Sequence, residues 1–132
     1  MAYMNQEKKA QVSPAIKAVL KKYNIKGSIA VRDHSTLVVN IKSGNIDFIK
    51  NYNDLVKERP HYSVAKDYID VNTSWYQDHF SGDAVNFLEE LITAMKSLGW
   101  YNRSDYNTDY FDVAYYIDIN IGKWNKPYQV EA

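Results

Sequence analysis

"SIAVRDHSTLVVNI" (residues 28–41) contains two runs rich in β-branched and aliphatic residues, separated by Asp33-His34-Ser35. Branched side chains suit a pleated backbone, and a short polar interval between two such runs is the pattern of consecutive antiparallel strands, so the spacing predicts a hairpin. Alternation puts Ile29 and Val31 on one face of the first strand, and Leu37, Val39 and Ile41 on one face of the second. A sheet that is apolar on one face needs a second layer, and the flanking sequence supplies amphipathic helices to form it.

On the N-terminal side, "SPAIKAVLKKYN" (13–24) reads as a helix with Ser13 as N-cap and Pro14 at the first helical position. Ile16, Val19, Leu20 and Tyr23 share one face, and Lys17, Lys21 and Lys22 turn outward. Residues 5–12 read as an earlier helical turn interrupted by Pro14, and Gly27 as the residue that closes the helical region. On the C-terminal side, residues 43–60 begin as a turn and then form a weak helix with Ile46, Ile49 and Leu55 inward, ended by Pro60. "KDYIDVNTSWY" (66–76) has the content of a third, edge strand. The clearest helix follows Ser81-Gly82-Asp83, marked by Ala84, Phe87, Leu88, Leu91, Met95 and Leu98, with Gly99 as a left-handed C-cap and Trp100 folding back on the last turn.

The final strand is "DVAYYIDINIG" (112–122). Val113, Tyr115, Ile117, Ile119 and Ile121 occupy one face, and Ala114, Tyr116, Asp118 and Asn120 the other. The element order α-β-β-(α)-β-α-β predicts one α+β domain, a mostly antiparallel sheet with two main helices packed on one face. At 132 residues the chain is long enough for one real core.

Composition removes several chemistries. The chain has no cysteine, which excludes disulfides, thiolate zinc sites and cysteine nucleophiles. No stretch approaches the roughly 20 apolar residues that span a bilayer, so the expectation is a cytoplasmic protein without a membrane partner. The zero net charge is split: residues 1–66 hold 12 Lys/Arg against 5 Asp/Glu, a balance of +7, and residues 67–132 hold 4 against 11, a balance of −7. Interleaving of the halves on folding would match these signs between neighbouring elements.

"SDYNTDYFDVAYYIDIN" (104–120) sets aspartates among aromatic rings. Asp105, Asn107 and Asp109 match the first, third and fifth ligand positions of a calcium loop, but Tyr110 stands where the turn wants Gly and Tyr116 where a bidentate Glu closes the shell. No metal site and no cofactor is therefore assigned. Two alternatives stay open. Asp105, Asp109, Asp112 and Asp118, with Asp70 as a further candidate neighbour, are the residue types a divalent-metal hydrolase or nuclease would use. Lys17, Lys21, Lys22 and Lys26, with Arg32, are the types that contact phosphates in a nucleic-acid-binding module. His34, His61 and His79 lie far apart, and GxSxG, GxxxxGK[ST] and GxGxxG are all missing, so no catalytic residue is assigned. Tyr106, Tyr110, Tyr116, Trp124 and Tyr128 are candidates to stack on bases or anchor a protein partner.

The segments "NRSDYNTDYFDVAYYIDINIGKWNKPY" (102–128) and "VRDHSTLVVNIKSGNIDFIKNYN" (31–53) resemble the large polyvalent-protein-associated domain of bacteriophages and conjugative elements. The Asp109-Tyr110-Phe111 run and the closing Gly122-Lys123-Trp124-Asn125-Lys126-Pro127-Tyr128 carry the likeness, which spans nearly the whole chain. The resemblance implies a mobile-element context, in which such domains are associated with protecting incoming DNA against host defences, and it brings no catalytic residue with it. The expected function is that of a non-catalytic interaction protein binding a host protein or defence complex, of anti-defence, anti-CRISPR or anti-restriction type. Its partner-binding residues are expected to be Asp105, Tyr106, Asp109, Tyr110, Asp112 and Trp124, because acidic, tyrosine-rich surfaces can imitate nucleic acid toward a basic partner.

Overall fold

The structure, a computed structural model, describes residues 2–57, 59, 65, 67–101, 114–123 and 125–131. In chain order the elements are α1 (Gln6–Lys22), β1 (Ile25–Arg32), β2 (Thr36–Gly44), α2 (Phe48–Val56), β3 (Ile69–Asp70), a 3-10 turn (Tyr76–Asp78), α3 (Gly82–Met95), β4 (Tyr116–Ile121) and β5 (Gln129–Val130). This is the expected α+β architecture.

The hairpin forms as its alternation predicts. β1 and β2 pair antiparallel from Ile25↔Gly44 to Arg32↔Thr36. Asp33 and His34 at the turn both adopt left-handed backbone (φ 55° and 54°), the conformation that lets a tight turn follow the twist of the strands. Leu37, Val39 and Ile41 are buried against the helices.

α1 starts about two turns earlier than its Ser13-Pro14 pair suggests. Asn5 is the N-cap, its side chain accepting from the Lys8 N–H at 2.8 Å, so Pro14 lies inside the helix. The proline is tolerated because Ala10, whose carbonyl loses its i+4 donor, and Pro14 itself are both exposed, which leaves that carbonyl to water. Ser13 donates its hydroxyl back to the Lys9 carbonyl at 2.7 Å instead of capping. The early start adds Val12 to the buried row of Ile16 and Leu20. At the other end the left-handed residue is Asn24 (φ 54°). Gly27 belongs to β1, where a Cβ would come within 2.6 Å of the Asn40 carbonyl oxygen. Its role is close backbone approach, not helix termination.

The sheet order is β1-β2-β4-β3, with β5 also pairing with β2. β1–β2 and β3–β4 are antiparallel, whereas β2–β4 and β2–β5 are parallel, which makes the sheet mixed at its centre. Parallel pairing of β2 with β4 is accommodated because α2, β3 and α3 lie between them in the chain and provide the crossover. The expected third strand shrinks to Ile69–Asp70, extended by one further bond from the Val71 N–H to Ile119. Asn72 is the reason: its side-chain oxygen accepts from the N–H groups of both Ser74 and Trp75 at 3.0 Å, and this turn takes the chain out of the sheet.

In α2 the inward residues are Phe48 and Val56, while Ile46, Ile49 and Leu55 are half-buried. α3 follows its periodicity, with Ala84, Phe87, Leu88, Leu91 and Met95 all buried. Gly99 is left-handed (φ 65°), and the Trp100 indole N–H donates to the Tyr115 carbonyl at 2.6 Å while Lys96 lies 4.1 Å from the ring centroid. In the last strand Tyr115, Ile119 and Ile121 are buried and Ile117 is half-buried; Val113 lies outside the described residues. Phe48 sits at the centre of the core, meeting Phe80, Phe87 and Tyr128 at centroid distances of 6.2, 5.6 and 5.4 Å. Among the described residues no helix is long and apolar enough to cross a membrane.

Candidate functional site

Of the residues assigned from sequence to partner binding, Asp105, Tyr106, Asp109, Tyr110, Asp112 and Trp124 all lie outside the described residues. The cations assigned to phosphate contact are described, and folding gives most of them acidic partners. Lys22 meets Glu90 at 2.7 Å, Lys26 meets Glu131 at 3.4 Å and Arg32 meets Asp118 at 2.9 Å. Each pair joins a cation of the basic first half to an anion of the acidic second half, so the charge split of the sequence is drawn together across the fold. Glu90 also accepts from the Tyr23 hydroxyl, and its carboxyl is held below the usual range by these two donors. Lys17 and Lys21 have no ion pair among the described residues and stand exposed on α1.

Because the apolar residues of β2 and β4 face the helices, the alternate residues of the same strands face outward together. Val38↔Asp118 and Asn40↔Asn120 are neighbours across the parallel join, and Asp70↔Asn120 across the antiparallel one. The Asn120 amide donates to the Asn40 side-chain oxygen at 3.2 Å and to Asp118 at 3.4 Å. Tyr116 stands beside them with 49% of its surface exposed, whereas the Asp118 side chain keeps only 18%. Partial burial raises the Asp70 carboxyl above its usual value, the charge of the hydrogen-bonded Asp118 adds to the shift, and Arg32 opposes it. The sheet thus brings Asp70 and Asp118 together, while Asp105, Asp109 and Asp112, the other members of the metal alternative, lie outside the described residues. It also sets the Arg32 guanidinium against Asp118, where it competes for the charge a metal would need. Among the described residues no group of three or more His, Asp or Glu side chains is arranged to hold a metal ion.

The C-terminal motif Gly122–Tyr128 is a structural device. Gly122 is left-handed (φ 73°), and a Cβ there would lie 2.6 Å from the Tyr128 nitrogen and 2.7 Å from the Asp67 oxygen. Lys123 and Lys126 exchange backbone hydrogen bonds at 2.8 and 3.1 Å, closing a tight loop. Tyr128 then anchors the chain, its hydroxyl donating to the Ile46 carbonyl at 2.8 Å, and burial pushes that hydroxyl's pKa well up. Of the histidines, His34 occupies the hairpin turn and His79, beside Tyr52 at 5.8 Å, has its pKa lowered by burial and by Arg59; His61 lies outside the described residues.

Alternation placed Asp118 and Asn120 on the outer strand face, and Asp70 was a candidate neighbour from its residue type, but Asn40 was missed. Alternation was the available signal; the missing information was which strands pair. Compared with known proteins, the chain matches no family model, no curated protein and no solved structure.

Proposed function

We propose that this chain is a non-catalytic interaction protein, of bacteriophage or mobile-element origin, that acts in the host cytoplasm by binding a host protein, with a defence complex as the natural target. The outer face of the sheet carries this reading. Arg32, Asn40, Asp70, Tyr116, Asp118 and Asn120 form a mixed-charge, aromatic-bearing surface on a rigid scaffold. Tyrosine and arginine are the residues that dominate protein interfaces, because they combine large contact area with directed hydrogen bonds. A sheet held by helices on its other side also presents them without a large ordering cost. The resemblance to the polyvalent-protein-associated domain supports the mobile-element context, and the acidic stretch containing Asp105, Asp109 and Asp112 immediately precedes β4 in the sequence.

The reading is tested by affinity capture from bacterial lysate with the parent chain, with Tyr116→Ala/Asn40→Ala, and with Asp105→Asn/Asp109→Asn/Asp112→Asn. A specific host protein retained by the parent and lost with either set supports it. A captured set that neither group of substitutions changes, or no specific capture at all, overturns it. The nucleic-acid alternative through Lys17, Lys21, Lys22, Lys26 and Arg32 would require three of those cations to leave their carboxylates.

A further inference from the structure

Going beyond that reading, we infer that the pocket where β5 replaces β4 along β2 is a binding site for a terminal phosphate, carried by a nucleotide-sized ligand. One edge of β2 pairs first with β4, through Thr36 to Ile41, and then with β5 at Ser43 and Gly44. Between the two, the chain leaves the sheet at Gly122 and returns at Gln129. The other edge of β2 is irregular at the same level: Gly27 pairs with Ile41 and Lys26 with Ser43, so Lys42 is the extra residue of a β-bulge. Two interruptions of the ladder, one on each edge, therefore coincide at Lys42. The space they open is a pocket of about 580 Å³ lined by Lys42, Lys123, Lys126, Ser28, Asn40 and Gln129, within the size range of small-molecule sites.

Three lysines without an acidic partner among the described residues line this one pocket. Lys22, Lys26, Arg32 and Lys50 are each paired with a carboxylate, whereas the ammonium groups of Lys42, Lys123 and Lys126 have no such partner among the described residues. The acid on the pocket wall, Glu131, is already occupied by Lys26 and by the Ser43 hydroxyl, which together hold its carboxyl below the usual range. Neutral donors add direction. Asn40 accepts from Asn120 through its oxygen, which leaves its own amide N–H groups for a ligand, and the Ser28 hydroxyl lines the same wall.

Three uncompensated ammonium groups match a phosphate monoester, which carries about −1.5 to −2 at neutral pH, better than they match a singly charged carboxylate or diester. Lysine is suited to this as a mobile point charge. Such a group can come from a free nucleotide or from the 5′ end of a strand.

Calorimetric titration of the intact chain with adenosine 5′-monophosphate, adenosine, and a short single strand with and without a 5′-phosphate tests the inference. The expected result is saturable binding of the phosphorylated probes that weakens as salt rises from about 50 to about 200 mM, and binding by adenosine at least about tenfold weaker. Lys123→Ala/Lys126→Ala and, separately, Lys42→Gln should each lower affinity by about tenfold, with circular dichroism melts unchanged since all three side chains are exposed. Lys17→Ala/Lys21→Ala should bind as the parent does. Strand binding that is tighter than mononucleotide binding and needs the 5′-phosphate identifies a strand end as the source; the reverse order identifies a free nucleotide. Absence of saturable binding by every phosphorylated probe, equal binding of adenosine, or an equal loss in the Lys17/Lys21 variant overturns the site. Host-protein capture is a separate readout, so either result can fail without the other.

Discussion

The two faces of the sheet are made from the same strands and behave as different materials. On the helix side, Leu37, Val39, Ile119 and Ile121 are at most 1% exposed and join a cluster with α1 and α3. One residue along each strand, the outer side carries Arg32, Asn40, Tyr116, Asp118 and Asn120 in ion pairs and amide contacts open to water. The inner face derives stability from area removed from water, at about 25 cal/mol per Å². The outer face derives little from its ion pair, since exposed pairs contribute about 0–1 kcal/mol. A surface that does little for stability is free to be shaped for binding.

The sharpest way to break this contrast is truncation on the inner side. Phe87→Ala removes a fully buried ring that contacts Tyr23 at 5.4 Å and Phe48 at 5.6 Å, and should cost about 3–5 kcal/mol in urea melts. Ile119→Ala should cost about 2–5 kcal/mol, and Ile117→Ala clearly less because that residue is only half-buried. Tyr116→Ala on the outer side should stay within about 0.5 kcal/mol. If Tyr116→Ala approaches Ile119→Ala in cost, the outer face is part of the core and the contrast fails.

The next effect concerns where the faces end. Gly122→Ala adds a Cβ to a left-handed residue against two backbone atoms that cannot move aside, and should cost about 1–3 kcal/mol or more. Gly99→Ala has the same sign of φ but meets nothing within 4 Å, so it should cost about 1–2 kcal/mol from backbone strain alone. Equal losses at the two positions would show that the Gly122 approach is not tight.

Seating of the covering helix comes third. Asn5→Ala removes the N-cap of α1 and should cost about 1 kcal/mol, whereas Ser13→Ala, which removes only a mid-helix back-bond, should be nearly neutral. The opposite ranking would restore Ser13 as the start of the helix.

The smallest effect lies on the outer face and depends on pH. Because the Asp70 carboxyl is raised, the folded state holds its proton more tightly than the unfolded state does. Its contribution is present below the ordinary carboxylate pKa and is lost as pH rises through the raised value. Asp70→Asn should therefore raise the urea midpoint slightly at neutral pH and converge with the parent at acid pH. A variant that is less stable at neutral pH would mean that Asp70 ionises there with a net gain.

Much of this molecule could be read before folding, for reasons visible in particular residues. The α3 row from Ala84 to Met95, the Gly99 cap and the Trp100 return depend on contacts within one or two turns, and the structure reproduces each of them. The alternation that placed Tyr115, Ile119 and Ile121 on one face and Asp118 and Asn120 on the other depends only on the pleat. Failures occurred where a local signal had a competitor. Ser13-Pro14 looks like a helix start, but Asn5 offers a cap about two turns earlier and the exposed face absorbs the proline. Residues 66–76 have strand composition, but the Asn72 side chain wins the backbone for a turn.

Periodicity, capping and turn chemistry were determined by the sequence itself, because each acts between residues that are close along the chain: the helical faces, the hairpin, the α+β class and the sign of charge in each half. Tertiary structure alone decided that β2 lies parallel to β4, that Lys22, Lys26 and Arg32 find Glu90, Glu131 and Asp118, and that the bulge at Lys42 coincides with the Gly122 loop. Those contacts join residues far apart in the chain, and their loop-closure entropy is offset only when the whole core is buried at once, so no local stretch could announce them.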